Sequence, residues 1–203
     1  MLNYTGYVTR AAGEVTRPAE ADELDRPLIV IAFGGGNRMD RLLEAAADAA
    51  LDAARGTVVV FAGPWADARS LAGLERSAAT SGRLRLVSGS RHLDSWLRAA
   101  DLFIGKGGYN TLAEILATRC NAAIVCGGTV TVEQSWHAER LAQAGFVRLL
   151  DAQELEAGGP RAAGVVARAL DDRYPQASWS PAVDGAEACA RILAVMPTGP
   201  IAP

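Results

Sequence analysis

The stretch Gly105-Lys-Gly-Gly-Tyr-Asn-Thr-Leu-Ala-Glu-Ile-Leu116 joins two adjacent glycines to a run of helical period, with Asn110 and Thr111 at its start and Glu114 one turn in. Glycine lets backbone N–H groups approach a ligand without a Cβ in the way, and a helix N-terminus adds unpaired N–H groups and partial positive charge. A phosphate or diphosphate suits such a place, and Lys106 could neutralise it or simply be solvated. A carboxylate at Glu114 can accept hydrogen bonds from both hydroxyls of a ribose. A second use competes for the same residues: Thr111-Leu-Ala-Glu114 fits the S/T-x-x-E capping box, in which the glutamate reaches back to the N-cap N–H and needs no ligand.

Residues of this kind act only where a scaffold gathers them. From Pro27 onward, apolar runs rich in β-branched residues (28–33, 57–61, 84–87, 101–104, 122–126 and 146–150) alternate with segments of helical period near 38–54, 66–79, 93–99, 111–118, 132–143, 161–171 and 184–195. In the first of these helices Leu42, Leu43, Ala46, Ala47, Ala50, Leu51 and Ala54 share one face, opposite Arg41, Glu44, Asp48, Asp52 and Arg55. Continuous apolar strands separated by helices predict an α/β domain, a doubly wound parallel sheet of about six strands covered on both faces. Residues 1–26 read as an arm or linker, 27–195 as the domain, and 196–203 as a flexible tail.

In such a sheet the ligand crevice lies beyond the carboxyl ends of the strands. Glycine-bearing segments follow four of the predicted strands: Gly34-Gly35-Gly36-Asn37, Gly89-Ser90-Arg91-His92, Gly105 to Asn110, and Gly127-Gly128-Thr129. Tight turns alone account for a single Gly pair; four such loops on one edge favour a ligand. A nicotinamide dinucleotide does not fit, because the first loop lacks the G-x-G-x-x-G order and the second strand ends in Phe61-Ala-Gly-Pro-Trp65 without an acidic residue for a ribose. No G-x-x-x-x-G-K-[ST] occurs either.

Composition narrows the partners. Half of the 203 residues are hydrophobic, about a fifth are charged, and the formal net charge is −3, so no basic stripe exists for nucleic acid. No apolar run is long enough to span a bilayer. Cys120, Cys126 and Cys189 are odd in number and lie far from His92 and His137, which suggests neither a disulfide framework nor a metal site. A reducing, cytoplasmic setting is the default expectation.

The run from Ala100 to Leu116, followed by Val132-Glu-Gln-Ser-Trp-His-Ala-Glu-Arg-Leu141 and Ala144-Gly-Phe146, resembles the C-terminal half of GT-B glycosyltransferases of family twenty-eight, the family of the peptidoglycan N-acetylglucosaminyltransferase. The resemblance covers roughly residues 28–155. It implies a Rossmann-like domain that binds a nucleotide-sugar donor, with a UDP-sugar as the usual choice and no metal required. It places Gly34, Gly35, Gly36 and Asn37 in the first diphosphate loop and Gly107, Gly108, Tyr109, Asn110 and Thr111 in the second. It puts Glu114 on the ribose, and Glu133 and Gln134 on the donor sugar's hydroxyls. Ser90, His92, Lys106, Gly128 and Thr129 are secondary candidates for the same site.

Two departures stand out. Asn121 and Cys126-Gly-Gly128 occupy positions where the family commonly has Pro, and "NYTGYVTR" resembles the segment that links the two GT-B halves. The expectation is therefore a donor-binding half that transfers a hexosyl or N-acetylhexosaminyl group only with an acceptor-binding domain or subunit. That missing half would supply the catalytic base and any peripheral membrane contact, so no catalytic residue is assigned here and the chain alone is expected to be inactive. A nucleotide-sugar hydrolase or epimerase, for which only Glu133, His92 and His137 could act as acid or base, and a noncatalytic nucleotide-sugar-binding module are the alternatives.

Overall fold

The run from Leu28 to Ala32 is apolar at every position and buried at every position, which requires a central strand with cover on both faces. The computed structural model describes residues 3–10, 15–34, 41–63, 68–88, 92–128 and 130–195. Six strands, β1 (Ile29–Ala32), β2 (Val58–Ala62), β3 (Leu84–Ser88), β4 (Leu102–Lys106), β5 (Ala122–Cys126) and β6 (Arg148–Asp151), form one sheet in the order β3-β2-β1-β4-β5-β6. Every neighbouring pair is parallel. The helices are α1 (Arg41–Ala53), α2 (Ala68–Ser81), α3 (Leu93–Ala99), α4 (Tyr109–Thr118), α5 (Val132–Gln143), α6 (Ala152–Glu156), α7 (Gly159–Asp171) and α8 (Gly185–Ala194).

Alternate strand residues enter two cores. Ile29, Ile31, Val58, Val60, Leu102 and Ile104 pack with α1, α6 and α7, where alanines on α1 meet Ala162, Val165, Val166 and Ala169. Val30, Val59, Phe61, Phe103, Ala122 and Ile124 pack with α3 and α4, and Ala138 of α5 joins them. The doubly wound parallel sheet expected from the sequence is thus the observed architecture. Among the described residues, no helix is long and apolar enough to cross a membrane.

Several element bounds differ from those the sequence predicts, each for a local reason. Strand β4 starts one residue late because the Asp101 carboxylate is engaged by the Arg26 guanidinium and the Leu28 N–H. A short helix, α6, appears where none is predicted; Asp151 caps it, accepting from the N–H groups of Gln153 and Glu154. Helix α4 begins at Tyr109, two residues before the predicted start, with Gly108 as its N-cap. Thr111 is therefore inside the helix and cannot serve as the N-cap of a box with Glu114.

The chain ahead of β1 is docked. The Tyr7 N–H donates to the Ala182 carbonyl, the Gly185 N–H donates to the Tyr7 carbonyl, and the Thr9 hydroxyl donates to the Val183 carbonyl. Val15 and Ala21 are buried, Ala21 against the α3–α4 core. At the amino edge of the sheet Asn121, 8% exposed, donates to the carbonyls of Asp101 and Ala169 and accepts from the Tyr174 N–H. Arg119 ends α4 in the left-handed region (φ 53°), a position that costs a non-glycine residue about 1 kcal/mol or more. Its guanidinium compensates by holding the carbonyls of Ala177 and Trp179 and the Ser180 hydroxyl.

Because Asn121 ties three segments together inside a buried site, Asn121→Ala should lower the unfolding free energy by about 3 kcal/mol, measured by urea denaturation.

Candidate functional site

The strand order reverses between β1 and β4, and their register sets Ala32 beside Gly105, so the loops that follow leave the sheet side by side. Lys106, the last residue of β4, lays its Nζ 5.4 Å from the centroid of the Phe33 ring in the β1 loop, a cation–π contact across the switch point. Gly34 follows at the end of β1, with open space where a Cβ would point. Gly35, Gly36, Asn37, Ser90 and Thr129 lie outside the described residues.

The two glycines ahead of α4 have different jobs. A Cβ on buried Gly107 would lie 2.4 Å from the carbonyl oxygen of Gln134, so only glycine lets α5 come this close. On Gly108 the same atom would meet nothing nearer than Nε2 of Gln134, at 4.0 Å. Gly108 offers no side chain to cap α4, and the helix opens with its first-turn N–H groups at the carboxyl edge of the sheet. The first turn of α5 is capped instead, with the Thr131 hydroxyl accepting from the Gln134 N–H at 3.3 Å. Gln134 is thereby fixed against the Gly107-Gly108 loop, while Glu133 beside it is exposed.

On α4, Tyr109 is half exposed and its ring lies 5.7 Å from that of Tyr7, in the docked arm. Thr111 is partly buried. Asn110 and Glu114 share one side of the helix and line a cavity of about 230 Å³, with Val8, Thr9 and Arg10 of the arm and Asp94 of α3 completing its wall. Ligand pockets usually measure about 300–1,000 Å³, so this hollow has the size for a ribose rather than a whole nucleotide. A larger hollow, about 870 Å³, follows the outer surface of α1 between α2 and the α6–α7 turn, and its lining includes none of the candidate binding residues. His92 is exposed at the N-cap of α3, and Gly128 is exposed after β5, both on the same edge of the sheet.

Burial raises the Glu114 carboxyl to about 7, helped by Asp94 and opposed by Arg10. Asp94 is 5% exposed, and Arg10 grips it with two donors: Nε to Oδ2 at 2.6 Å, and Nη2 to Oδ1. Neither Arg10 nor Asp94 was singled out by the sequence, because a pairing across 84 positions leaves no local trace. The one available signal was an acidic residue set among Leu93, Trp96 and Leu97, since a carboxylate on an apolar face needs a partner. Chemically, the edge offers helix N–H groups for an anion, a half-buried carboxylate for hydroxyl groups, and an amide side chain between them.

Gly107→Ala should cost about 2 kcal/mol through the clash with α5, and Gly108→Ala less than about 1 kcal/mol, compared by thermal unfolding. The raised Glu114 value means that the folded state keeps a proton the unfolded chain releases. Its stabilising contribution is complete below the ordinary value of 4.5 and is lost as pH rises through about 7. Glu114→Gln should therefore gain on the wild type over that window and melt at a higher temperature at pH 8, while differing little at pH 4.

Comparison with known proteins gives this site its context. The chain matches the family model of the glycosyltransferase family 28 C-terminal domain over residues 29–160. No match was found among curated protein sequences. Of solved structures, it is similar to MurG of Acinetobacter baumannii, at 18% identity and a TM-score of 0.54, over 89% of this chain and 49% of that one. It is similar to CalG4, the calicheamicin glycosyltransferase, at 20% identity and a TM-score of 0.60, over 100% of this chain and 47% of that one. A third likeness is to the spinosyn rhamnosyltransferase SpnG complexed with thymidine diphosphate, at 18% identity and a TM-score of 0.55, over 93% of this chain and 45% of that one. At these identities the likeness is one of fold, and the chain spans about half the length of the structures it matches. The family match, by contrast, runs over more than half of the chain and includes β1, β4, α4 and α5, the elements that build the site: this protein belongs to glycosyltransferase family 28 through its C-terminal domain.

Proposed function

We propose that this chain holds the nucleotide-sugar donor, a UDP-sugar, for a glycosyl transfer completed by an acceptor-binding GT-B half. Residues 27–195 form the donor domain, and residues 1–26 form the link to the other half. The observation that carries the reading is Glu114: a half-buried carboxylate on a ribose-sized cavity, one turn past an N-terminus that opens on glycine, with no capping duty to explain it. The N–H groups at Gly108–Thr111, with Lys106, hold the diphosphate, and the loop of Gly34, Gly35, Gly36 and Asn37 meets it from β1. Glu133 and Gln134 read the sugar, with Gly128 and Thr129 closing that side, while Ser90 and His92 flank the base. A nucleoside diphosphate is also what the SpnG structure contains, which supports this class of ligand.

In the transfer, negative charge develops on the leaving diphosphate, and prepositioned N–H donors stabilise it there without a metal. No base for the acceptor hydroxyl is assigned to this chain; the acceptor-binding half supplies it, and this chain alone binds without turnover. The setting is cytoplasmic, and any membrane contact is made through that other half. In the hydrolase reading His137 would be a candidate base, but it is partly buried with its ring 5.3 Å from that of Trp136, which suits packing.

Calorimetric titration with UDP tests the reading. The ionised carboxylate accepts the ribose hydroxyls, so affinity should rise between pH 6 and pH 8 and level off above the Glu114 value of about 7. Glu114→Gln should weaken binding roughly tenfold at pH 8 and abolish that rise. Wild-type affinity in the variant would sink the ribose assignment, and release of free sugar from a UDP-sugar by this chain would replace transfer with hydrolysis.

A further inference from the structure

Among the described residues, two carboxylates face one guanidinium at the wall of the ribose-sized cavity. Asp94 comes from α3, Glu114 from α4 and Arg10 from the docked arm; the other polar groups lining the hollow, Thr9, Asn110 and Thr118, are neutral. The guanidinium makes two hydrogen bonds to Asp94 and acts on Glu114 through its charge. We propose that Asp94 is a positioning residue for the nucleotide site: by gripping Arg10 it keeps the guanidinium off the Glu114 carboxylate and seats the arm as the outer wall of the cavity. This rests on the reading of Glu114 as the ribose ligand.

The physical reason lies in competition for one acceptor. A carboxylate engaged by a bidentate arginine has one lone pair on each oxygen occupied and that edge blocked, so it can no longer turn both oxygens to a ribose's two hydroxyls. Asp94, at 5% exposure, is the more buried of the two acids and can hold its charge only with a partner, so it binds the guanidinium first. Its Oδ1 also accepts from the Ser95 N–H at 2.8 Å, which fixes the carboxylate plane on α3 and so fixes where Arg10 must come. The arm is held at a second point by the Thr9 hydroxyl on the Val183 carbonyl, leaving the wall from Val8 to Arg10 anchored on both sides.

The test uses UDP as probe and reads its affinity against pH. Asp94→Asn keeps the size of the side chain and an oxygen for the Ser95 N–H, and removes both the charge and one of the two acceptors that hold Arg10. Arg10 then turns to Glu114, UDP affinity at pH 8 falls about tenfold, and the inflection near 7 moves down by about one pH unit. The double variant Arg10→Gln/Asp94→Asn leaves no unpaired buried charge and decides the matter if the single variant does not fold. With both opposing charges gone, its inflection returns to near 7 and it binds UDP more tightly than Asp94→Asn, while staying weaker than wild type because the arm is no longer seated. A purely structural role would leave the double variant binding UDP no better than Asp94→Asn, and that result overturns the proposal, as does wild-type affinity in the double variant. If Glu114→Gln binds UDP like the wild type, the ribose assignment itself has failed; if it weakens binding while Asp94→Asn does not, only the role of Asp94 has.

Discussion

The placement of β1 at the centre of a fully parallel sheet is the constraint on which the site depends. Four consecutive residues with no polar face can only be buried from both sides, and a parallel neighbour on each side requires right-handed crossovers that send the chain first one way and then the other. The reversal happens between β1 and β4, and there the two outgoing loops diverge to opposite faces, opening a crevice. Alanine on α1 and glycine at Gly105 serve this geometry: a Cβ at Gly105 would stand 2.8 Å from the Ala32 carbonyl and 2.4 Å from the Phe103 ring. The crevice is therefore a product of core packing, and binding groups need only be placed at its rim.

Glu114 shows how function and stability part company. Burial, with Asp94 nearby, raises its carboxyl to about 7, so at neutral pH a substantial fraction carries a charge that its surroundings disfavour. A residue kept for packing would gain by becoming neutral. Asp94 is the opposite case, a carboxylate more deeply buried but fully matched by a two-pronged guanidinium. Side by side, the two acids separate a buried charge matched by a hydrogen-bonded guanidinium from one that burial disfavours.

Much of this was legible in the sequence because the signals were local. Continuous apolar runs between segments of period 3.6 place all six strands within two residues or so, and glycine clusters at strand ends point to the carboxyl edge where the crevice opens. The start of α4 was misread because Thr-x-x-Glu is a common cap pattern, while the actual N-cap is a glycine whose backbone alone turns the chain. The Asp151 cap and α6 escaped notice since five residues carry too little period to register. The arm's role was the least legible: residues 3–10 are short and polar, and what places them is hydrogen bonding to positions 182–185 and an ion pair to Asp94, all distant in the chain. Long-range pairing of polar groups has no periodicity to read.

The contact of Gly107 with the Gln134 carbonyl couples two parts of the rim mechanically. The loop ahead of α4 and the first turn of α5 are in van der Waals contact through backbone atoms, with no flexible side chain between them to absorb a displacement. There is no room for α5 to move closer to the α4 N-terminus at this point. Side chains on α5, such as those at positions 133 and 134, can be exchanged without moving the helix axis that Gly107 lets come so close.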